Sequence, residues 1–141
     1  CGSTSLYNMA INKNIKTPDI LTLSDKMGTN SLTGTTDVEM TKGLQFLNIP
    51  VKRYAMRKDG TILTKDNCKG KEDALQTLKD GLDRGEVFLW RTLMGMYHWV
   101  LVYGYQDDKI MFMCSCSGKR IENADFVYKV WSPRDFDGFR V

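Results

Sequence analysis

Two residues of this chain have side chains suited to covalent chemistry and a setting that favours it, Cys1 and His98. Cys1 is followed by Gly2, by small hydroxyl residues at positions 3 to 5, and then by an apolar pattern typical of a helix. A thiol on the first turn of a helix is favoured as a thiolate, because the helix dipole and the unpaired N–H groups there stabilise negative charge. His98 is the only histidine in the chain and therefore the candidate general base. Together they predict a nucleophilic thiol that attacks a carbonyl carbon.

Each of these residues also has a plainer interpretation. Cys1 could be a small buried hydrophobic residue, and His98, at the head of an apolar strand beside Trp99, could be a core imidazole bound to a backbone carbonyl. A mechanistic variant makes the α-amine of Cys1, rather than His98, the base for its own thiol. The segment 114–117, Cys-Ser-Cys-Ser, is typical of the packed end of a strand followed by a turn, and a role in shaping the site is the less favoured alternative.

Composition bounds the class of protein. The 141 residues are enough for one domain but not for two, and the 42 % apolar and 26 % charged content is that of an ordinary globular domain. The net charge of +3 is spread along the chain, which allows an acidic partner without arguing for one. No apolar run approaches the ~20 residues that a membrane span needs. The sequence shows no signal peptide before Cys1, but a leader or upstream domain could have been removed, so this absence carries no weight. Reduced cysteines are typical of the cytoplasm, and a domain released from a larger secreted or exporter protein is the alternative.

The four cysteines are not expected to form disulfides or to bind metal. A chain of this size does not need disulfides for stability, and Cys114 and Cys116, two apart on a predicted strand, point to the same face and bridge poorly. No C-x-x-C pair is present, and His98 lies sixteen residues from Cys114. We therefore expect no metal and no cofactor.

Binding of nucleic acid is only weakly supported. The lysines and arginines are dispersed, as on a solvated surface. Trp90-Arg91 is the one place where an aromatic residue and an arginine could form a stacking platform for single-stranded bases.

The apolar periodicity changes from helical to strand-like along the chain. The predicted helices cover about 3–13, 17–28, 36–47, 72–84 and 123–131, and the predicted strands cover about 51–56, 61–64, 86–93, 98–105 and 109–114. Thr17 as N-cap and Pro18 open the second helix, and a capping box of Thr36 and Glu39 opens the third. Helices followed by an antiparallel sheet indicate an α+β fold, with N-terminal helices packed on a C-terminal sheet. The helix that carries Cys1 would then lie against a strand that carries His98.

Several segments, in order, resemble the bacteriocin-leader peptidases. These are papain-like domains that remove double-glycine leaders in peptide-exporting ABC transporters, together with their stand-alone relatives. The resemblance lies in the opening Cys-Gly-Ser-Thr-Ser at 1–5, in Gly-Thr-Thr-Asp at 34–37, in Leu-Asn-Ile-Pro-Val at 47–51, and in the His-bearing hairpin at 98–108. It continues through 117–121 into the last helix and covers most of the chain.

This resemblance implies one papain-like cysteine hydrolase domain over 1–141, either a peptidase or an amidase. Cys1 would be the nucleophile and His98 the general base, and water would resolve the resulting thioester. The family's orienting acid stands about sixteen residues after its histidine, where this chain has Cys114, which becomes the candidate third residue. Asn123 or Asp125 could take that role from elsewhere in the chain.

A second departure concerns the oxyanion donor, because the family uses a Gln several residues before its cysteine and the sequence begins at Cys1. Either a segment upstream of Cys1 supplies that Gln, or the chemistry differs from simple leader cleavage. Loss of one such donor costs roughly 10²–10³ in rate. These departures keep two other functions open. One is a toxin or effector domain that acts on another target, such as RNA or a translation factor, and the other is a catalytically silent peptide-binding module. The expected partners are a peptide or protein substrate and an inhibitor or immunity protein.

Overall fold

The computed structural model describes residues 2–29, 35–93, 97–114 and 118–141. Within these ranges the chain forms five helices, five strands and one 3₁₀ turn. The helices are α1 (Gly2–Asn12), α2 (Ile20–Met27), α3 (Asp37–Phe46), α4 (Lys71–Asp83) and α5 (Ala124–Trp131), and the 3₁₀ turn is Ser132–Arg134. The strands are β1 (Phe88–Leu93), β2 (Tyr97–Gln106), β3 (Lys109–Cys114), β4 (Gly118–Asn123) and β5 (Gly138–Arg140). None of the helices in these ranges is both long and apolar enough to cross a membrane.

The described strands form one antiparallel sheet in the order β4-β3-β2-β1-β5. The sheet separates two apolar cores. On one face Leu6 and Met9 of α1 pack with α2, α3 and Leu101 of β2. On the other face Leu78 of α4 and Trp131 of α5 pack against the sheet. The predicted α+β fold is confirmed, and α4 and α5 cover the sheet face that α1 to α3 leave open.

Local capping explains where two of the helices begin. The capping box is present at α3, because Thr36 Oγ1 accepts from the Glu39 N–H at 3.1 Å and the Thr36 N–H donates to Glu39 Oε1 at 2.8 Å. The predicted Thr17 cap of α2 is wrong. Asp19 caps that helix by accepting from the Thr22 N–H at 2.8 Å, so the helix begins at Ile20.

The predicted strands at 51–56 and 61–64 are not formed. These segments contribute only isolated bridges, between Arg53 and Phe139 and between Met56 and Ile62. Tyr54 has a left-handed backbone (φ 65°), which interrupts the extended conformation that the alternating sequence predicted.

The sequence analysis also missed β4 and β5, both at the edges of the sheet. β4 has the charged sequence Gly-Lys-Arg-Ile-Glu-Asn and is exposed or half-buried along its length. It pairs with β3 on one side only, so it does not show the apolar alternation of a central strand. β5 is only three residues long and pairs with β1.

A buried carboxylate joins the sheet to the segment between α3 and α4. Asp137 accepts hydrogen bonds from Arg53 (Nη2 at 2.6 Å) and from Arg91 of β1 (Nη1 at 2.8 Å), and its side chain is 9 % exposed. It also accepts from the N–H of Gly138. One carboxylate therefore neutralises two partly buried guanidinium groups that come from distant parts of the chain.

Replacing Asp137 by Asn is expected to lower the free energy of unfolding by about 2 kcal/mol. Arg91 would lose the carboxylate it binds, and Arg53 would keep only Asp37, at 3.7 Å. Urea denaturation followed by circular dichroism measures this. The matched control is Asp135→Asn. Asp135 is largely exposed, lies 3.8 Å from Lys65, and has a left-handed backbone that Asn also tolerates. Equal losses of stability in the two variants would contradict the role assigned to Asp137.

Candidate functional site

His98 is held at one end of the central strand. It is the second residue of β2, pairs with Thr92 of β1, and is 8 % exposed. Its carbonyl accepts a hydrogen bond from Thr92 Oγ1 at 3.0 Å, in addition to the strand pairing. The backbone that carries the imidazole is therefore fixed on the β1 side.

The imidazole contacts Cys114. His98 Nε2 lies 2.6 Å from Cys114 Sγ, and Cys114 is only 1 % exposed. Cys114 ends β3 and pairs with Val100, which lies on the same face of β2 as His98 because side chains alternate along a strand. His98 and Cys114 are thus diagonal neighbours on adjacent antiparallel strands, a spacing within side-chain reach.

A β-bulge in β2 makes this contact possible. The pairing of β2 with β3 shifts between Val102 and Gly104, so that one extra residue, Tyr103, is placed in β2. Without that shift, the register of the hairpin turn would put Cys114 opposite Leu101, and its side chain would point to the other face of the sheet.

The contact divides the roles of the two ring nitrogens. Nε2 faces the sulfur of Cys114, so Nδ1 is the nitrogen through which His98 would act as a base. A thiol that donates to Nε2 leaves the ring proton on Nδ1, whereas a sulfur that accepts from Nε2–H leaves Nδ1 able to take a proton. The state of Cys114 therefore selects the tautomer of His98.

The start of α1 lies at the same end of β2. Ser5 Oγ donates to the carbonyl of Trp99, the neighbour of His98, at 3.1 Å. Further along, Asn8 and Ile11 line a shallow groove together with Leu101, so α1 runs beside β2 in the same direction. Its N-terminal end is therefore the end nearest His98. Cys1 itself lies outside the described residues, as does Cys116.

The other residues considered from the sequence lie elsewhere. Asn123 caps α5 by accepting from the Phe126 N–H, and Asp125 accepts from Lys71 Nζ at 2.6 Å. Asn123 is at the far end of β4 from Gly118, the residue that pairs with Cys114, a separation of roughly 16 Å along the strand. The structure does not bring Asn123 or Asp125 to His98.

The aromatic–arginine pair does not form a stacking platform either. Trp90 is 1 % exposed, and Arg91 is bound to Asp137 with its guanidinium over the Trp99 ring. No cluster of three or more potential metal ligands occurs among the residues in the described ranges. Cys68 and Cys114 carry thiols rather than disulfides.

No protein-family model and no curated protein sequence matches this chain. Its structure is similar to that of the peptidase domain of Streptococcus ComA, a bifunctional ABC transporter involved in a quorum-sensing pathway. The TM-score is 0.72 at 16 % sequence identity, over 100 % of this chain and 90 % of that one. The likeness is one of fold. It confirms the α+β prediction in its papain-like arrangement.

Replacing Cys114 by Asp is expected to hold the proton of neutral His98 on Nε2, because a carboxylate accepts from Nε2–H and does not compete as a donor. Ring ¹⁵N chemical shifts measure this directly, and the chain's single histidine makes the assignment unambiguous. Cys114→Ser, which can still donate or accept, is the matched control. A proton on Nδ1 in the Asp variant would contradict the assignment of Nε2 to residue 114.

Proposed function

We propose that this chain is a cysteine hydrolase domain that cleaves a peptide or amide bond, with Cys1 as nucleophile, His98 as general base and Cys114 as the group that orients the imidazole. The observation that carries the proposal is the contact between His98 Nε2 and Cys114 Sγ. It occurs in the fold of a peptidase domain, at the end of the sheet where α1 begins.

In this reaction His98 Nδ1 takes the proton of the Cys1 thiol, and the thiolate adds to the substrate carbonyl carbon. His98 then returns the proton to the leaving amine as the C–N bond breaks and a thioester remains. Water, deprotonated by the same nitrogen, hydrolyses the thioester and regenerates the thiol. Because Nε2 stays in contact with Cys114 throughout, Nδ1 alone accepts and donates each proton.

The position of α1 supports Cys1 as the nucleophile. Cys1 directly precedes Gly2, the first residue of α1, and no acidic side chain lies in the first turn to offset the positive end of the helix dipole. The body of α1 lies on the Trp99 face of the sheet, whereas His98 points to the Cys114 face. The thiol would therefore meet the imidazole around the end of β2.

Cys114 also favours a second candidate, a catalytically silent peptide-binding module. A neutral thiol stabilises an imidazolium less than a carboxylate does, and disturbing the orienting group of such a site costs up to about 10⁴ in turnover. A peptidase fold with this change would retain peptide binding more readily than hydrolysis.

The reactivity of the Cys1 thiol tests the proposal. Iodoacetamide labelling at pH 6.5, followed by mass spectrometry of each cysteine-containing peptide, is expected to modify Cys1 at least about tenfold faster than Cys68, because only the thiolate reacts. Cys68 is an internal control, a half-buried thiol that donates to the Gly70 carbonyl. In His98→Ala, Cys1 is expected to react at the rate of Cys68.

Two further measurements separate the alternatives. Acetylation of the α-amine leaves the labelling rate unchanged if His98 is the base, and abolishes rapid labelling if the amine is. Cleavage of a synthetic peptide library, lost in Cys1→Ser, distinguishes a hydrolase from a silent module. Labelling of Cys1 no faster than Cys68 in the unmodified chain would refute the proposal.

A further inference from the structure

We infer that Thr35 and Trp99 are positioning residues that fix the start of α1 relative to His98. Together with Gly2 they form what we call the positioning bridge, in which Trp99 binds Thr35 and Thr35 packs on Gly2. The inference rests on the proposed function, because what the bridge positions is Cys1 against the imidazole.

The first contact of the bridge is a hydrogen bond. The Trp99 indole N–H donates to the Thr35 carbonyl at 2.8 Å, and Trp99 is 3 % exposed. The indole is stacked on Phe139 with the ring centroids 6.0 Å apart, and the guanidinium of Arg91 lies over it at 5.5 Å. The orientation of the donor is thus held by two neighbouring side chains.

The acceptor is equally constrained. The Thr35 carbonyl and the Thr36 N–H belong to one planar peptide group. Its N–H donates to Glu39 Oε1 at 2.8 Å in the capping box, while its carbonyl accepts from Trp99. Both ends of this peptide group are therefore occupied, one by α3 and the other by β2.

The second contact is steric and requires glycine. A Cβ on Gly2 would lie 2.2 Å from Thr35 Oγ1, 2.3 Å from its Cβ and 2.6 Å from its Cγ2. The backbone of Gly2 is not in the left-handed region, so the need for glycine arises from this close approach and not from backbone conformation. The first residue of α1 and Thr35 are thus in direct contact.

A third contact returns from α1 to the strand. Ser5 is 2 % exposed and donates from Oγ to the Trp99 carbonyl at 3.1 Å. Trp99 therefore touches α1 with its backbone and Thr35 with its side chain, and it is covalently joined to His98. Misplacement of a reacting group by about 1 Å costs roughly 10² in rate, so this linkage sets the efficiency of a Cys1–His98 pair.

The experiment follows iodoacetamide labelling of Cys1 from pH 5 to 9 in four proteins: the unmodified chain, Gly2→Ala, Gly2→Ala with Thr35→Ala, and Gly2→Ala with Thr35→Gly. Gly2→Ala is expected to slow labelling at pH 6.5 by about tenfold to a hundredfold, because the start of α1 must move away. Thr35→Gly removes all three clashing atoms and is expected to restore the rate to within about threefold. Thr35→Ala keeps the Cβ only 2.3 Å away and is expected not to restore it.

A second pair of variants tests the hydrogen bond. Trp99→Phe removes the indole N–H that binds Thr35 and is expected to slow labelling about threefold to tenfold, the value of one hydrogen bond. Trp90→Phe is the matched control, because Trp90 is equally buried in the same sheet and its Nε1 has no hydrogen-bond partner among the residues that the structure describes. It is expected to lower thermal stability but to leave the labelling rate within about twofold.

These outcomes separate the two proposals. His98-dependent rapid labelling in the unmodified chain, with equally rapid labelling in Gly2→Ala, would overturn the positioning bridge while the proposed function stands. The positioning bridge would also be overturned if Gly2→Ala with Thr35→Gly is folded, as judged by circular dichroism, but does not regain the labelling rate of the unmodified chain. Labelling of Cys1 no faster than Cys68 in the unmodified chain would refute the proposed function, and the bridge as a positioning device with it.

Discussion

The contact between His98 and Cys114 depends on the pairing register of a single hairpin. In an antiparallel pair, a shift of one residue turns a side chain to the opposite face of the sheet. The bulge between Val102 and Gly104 makes that shift once, and it puts Cys114 on the face that His98 already occupies. The site therefore depends less on which residues the hairpin carries than on where its ladder is interrupted. Bulges serve this purpose in many sheets, where they redirect a side chain near a functional centre.

The alternation of β2 also explains how one strand can serve both halves of the molecule. His98 faces the core formed by α4 and α5, and the next residue, Trp99, faces the core formed by α1 to α3. Because the two side chains are on consecutive residues, neither can move far without the other. The buried Asp137, bound to Arg53 and to Arg91, joins β1 to the segment between α3 and α4. The sheet thus holds both His98 and Trp99 in place.

Much of this arrangement could be predicted from local sequence. The capping box of α3, the bounds of β3, and the placement of His98 near the start of a strand each follow from short-range patterns. The α+β class follows from the order of those patterns. The false strand at 51–56 alternates in sequence, but a left-handed Tyr54 and a position at the edge of the sheet leave it only two isolated bridges.

The features that the sequence could not predict are contacts between residues that lie far apart in the chain. The Cys114 contact requires the position of the bulge, which no turn signal marks. The need for glycine at position 2 can be seen only when its contact with Thr35, a residue of a different segment, is known. From the sequence, the Gly-Thr-Thr-Asp stretch at 34–37 was notable only as part of the resemblance to the bacteriocin-leader peptidases. The edge strands β4 and β5 lack apolar alternation because they lie at the border of the sheet. In each case the missing information is the identity of a spatial neighbour.

The peptide group between Thr35 and Thr36 belongs at once to the cap of a helix and to the support of the candidate site. Many enzymes trade stability against activity, because the groups that serve the reaction are strained or unsatisfied in the folded state. Here one peptide group makes both the hydrogen bond of the helix cap and the hydrogen bond to Trp99, so mutations that weaken the cap would also loosen the site. Natural variation at these two threonines would then be under a single selective pressure, in which a more robust fold and a better-aligned thiol are gained or lost together.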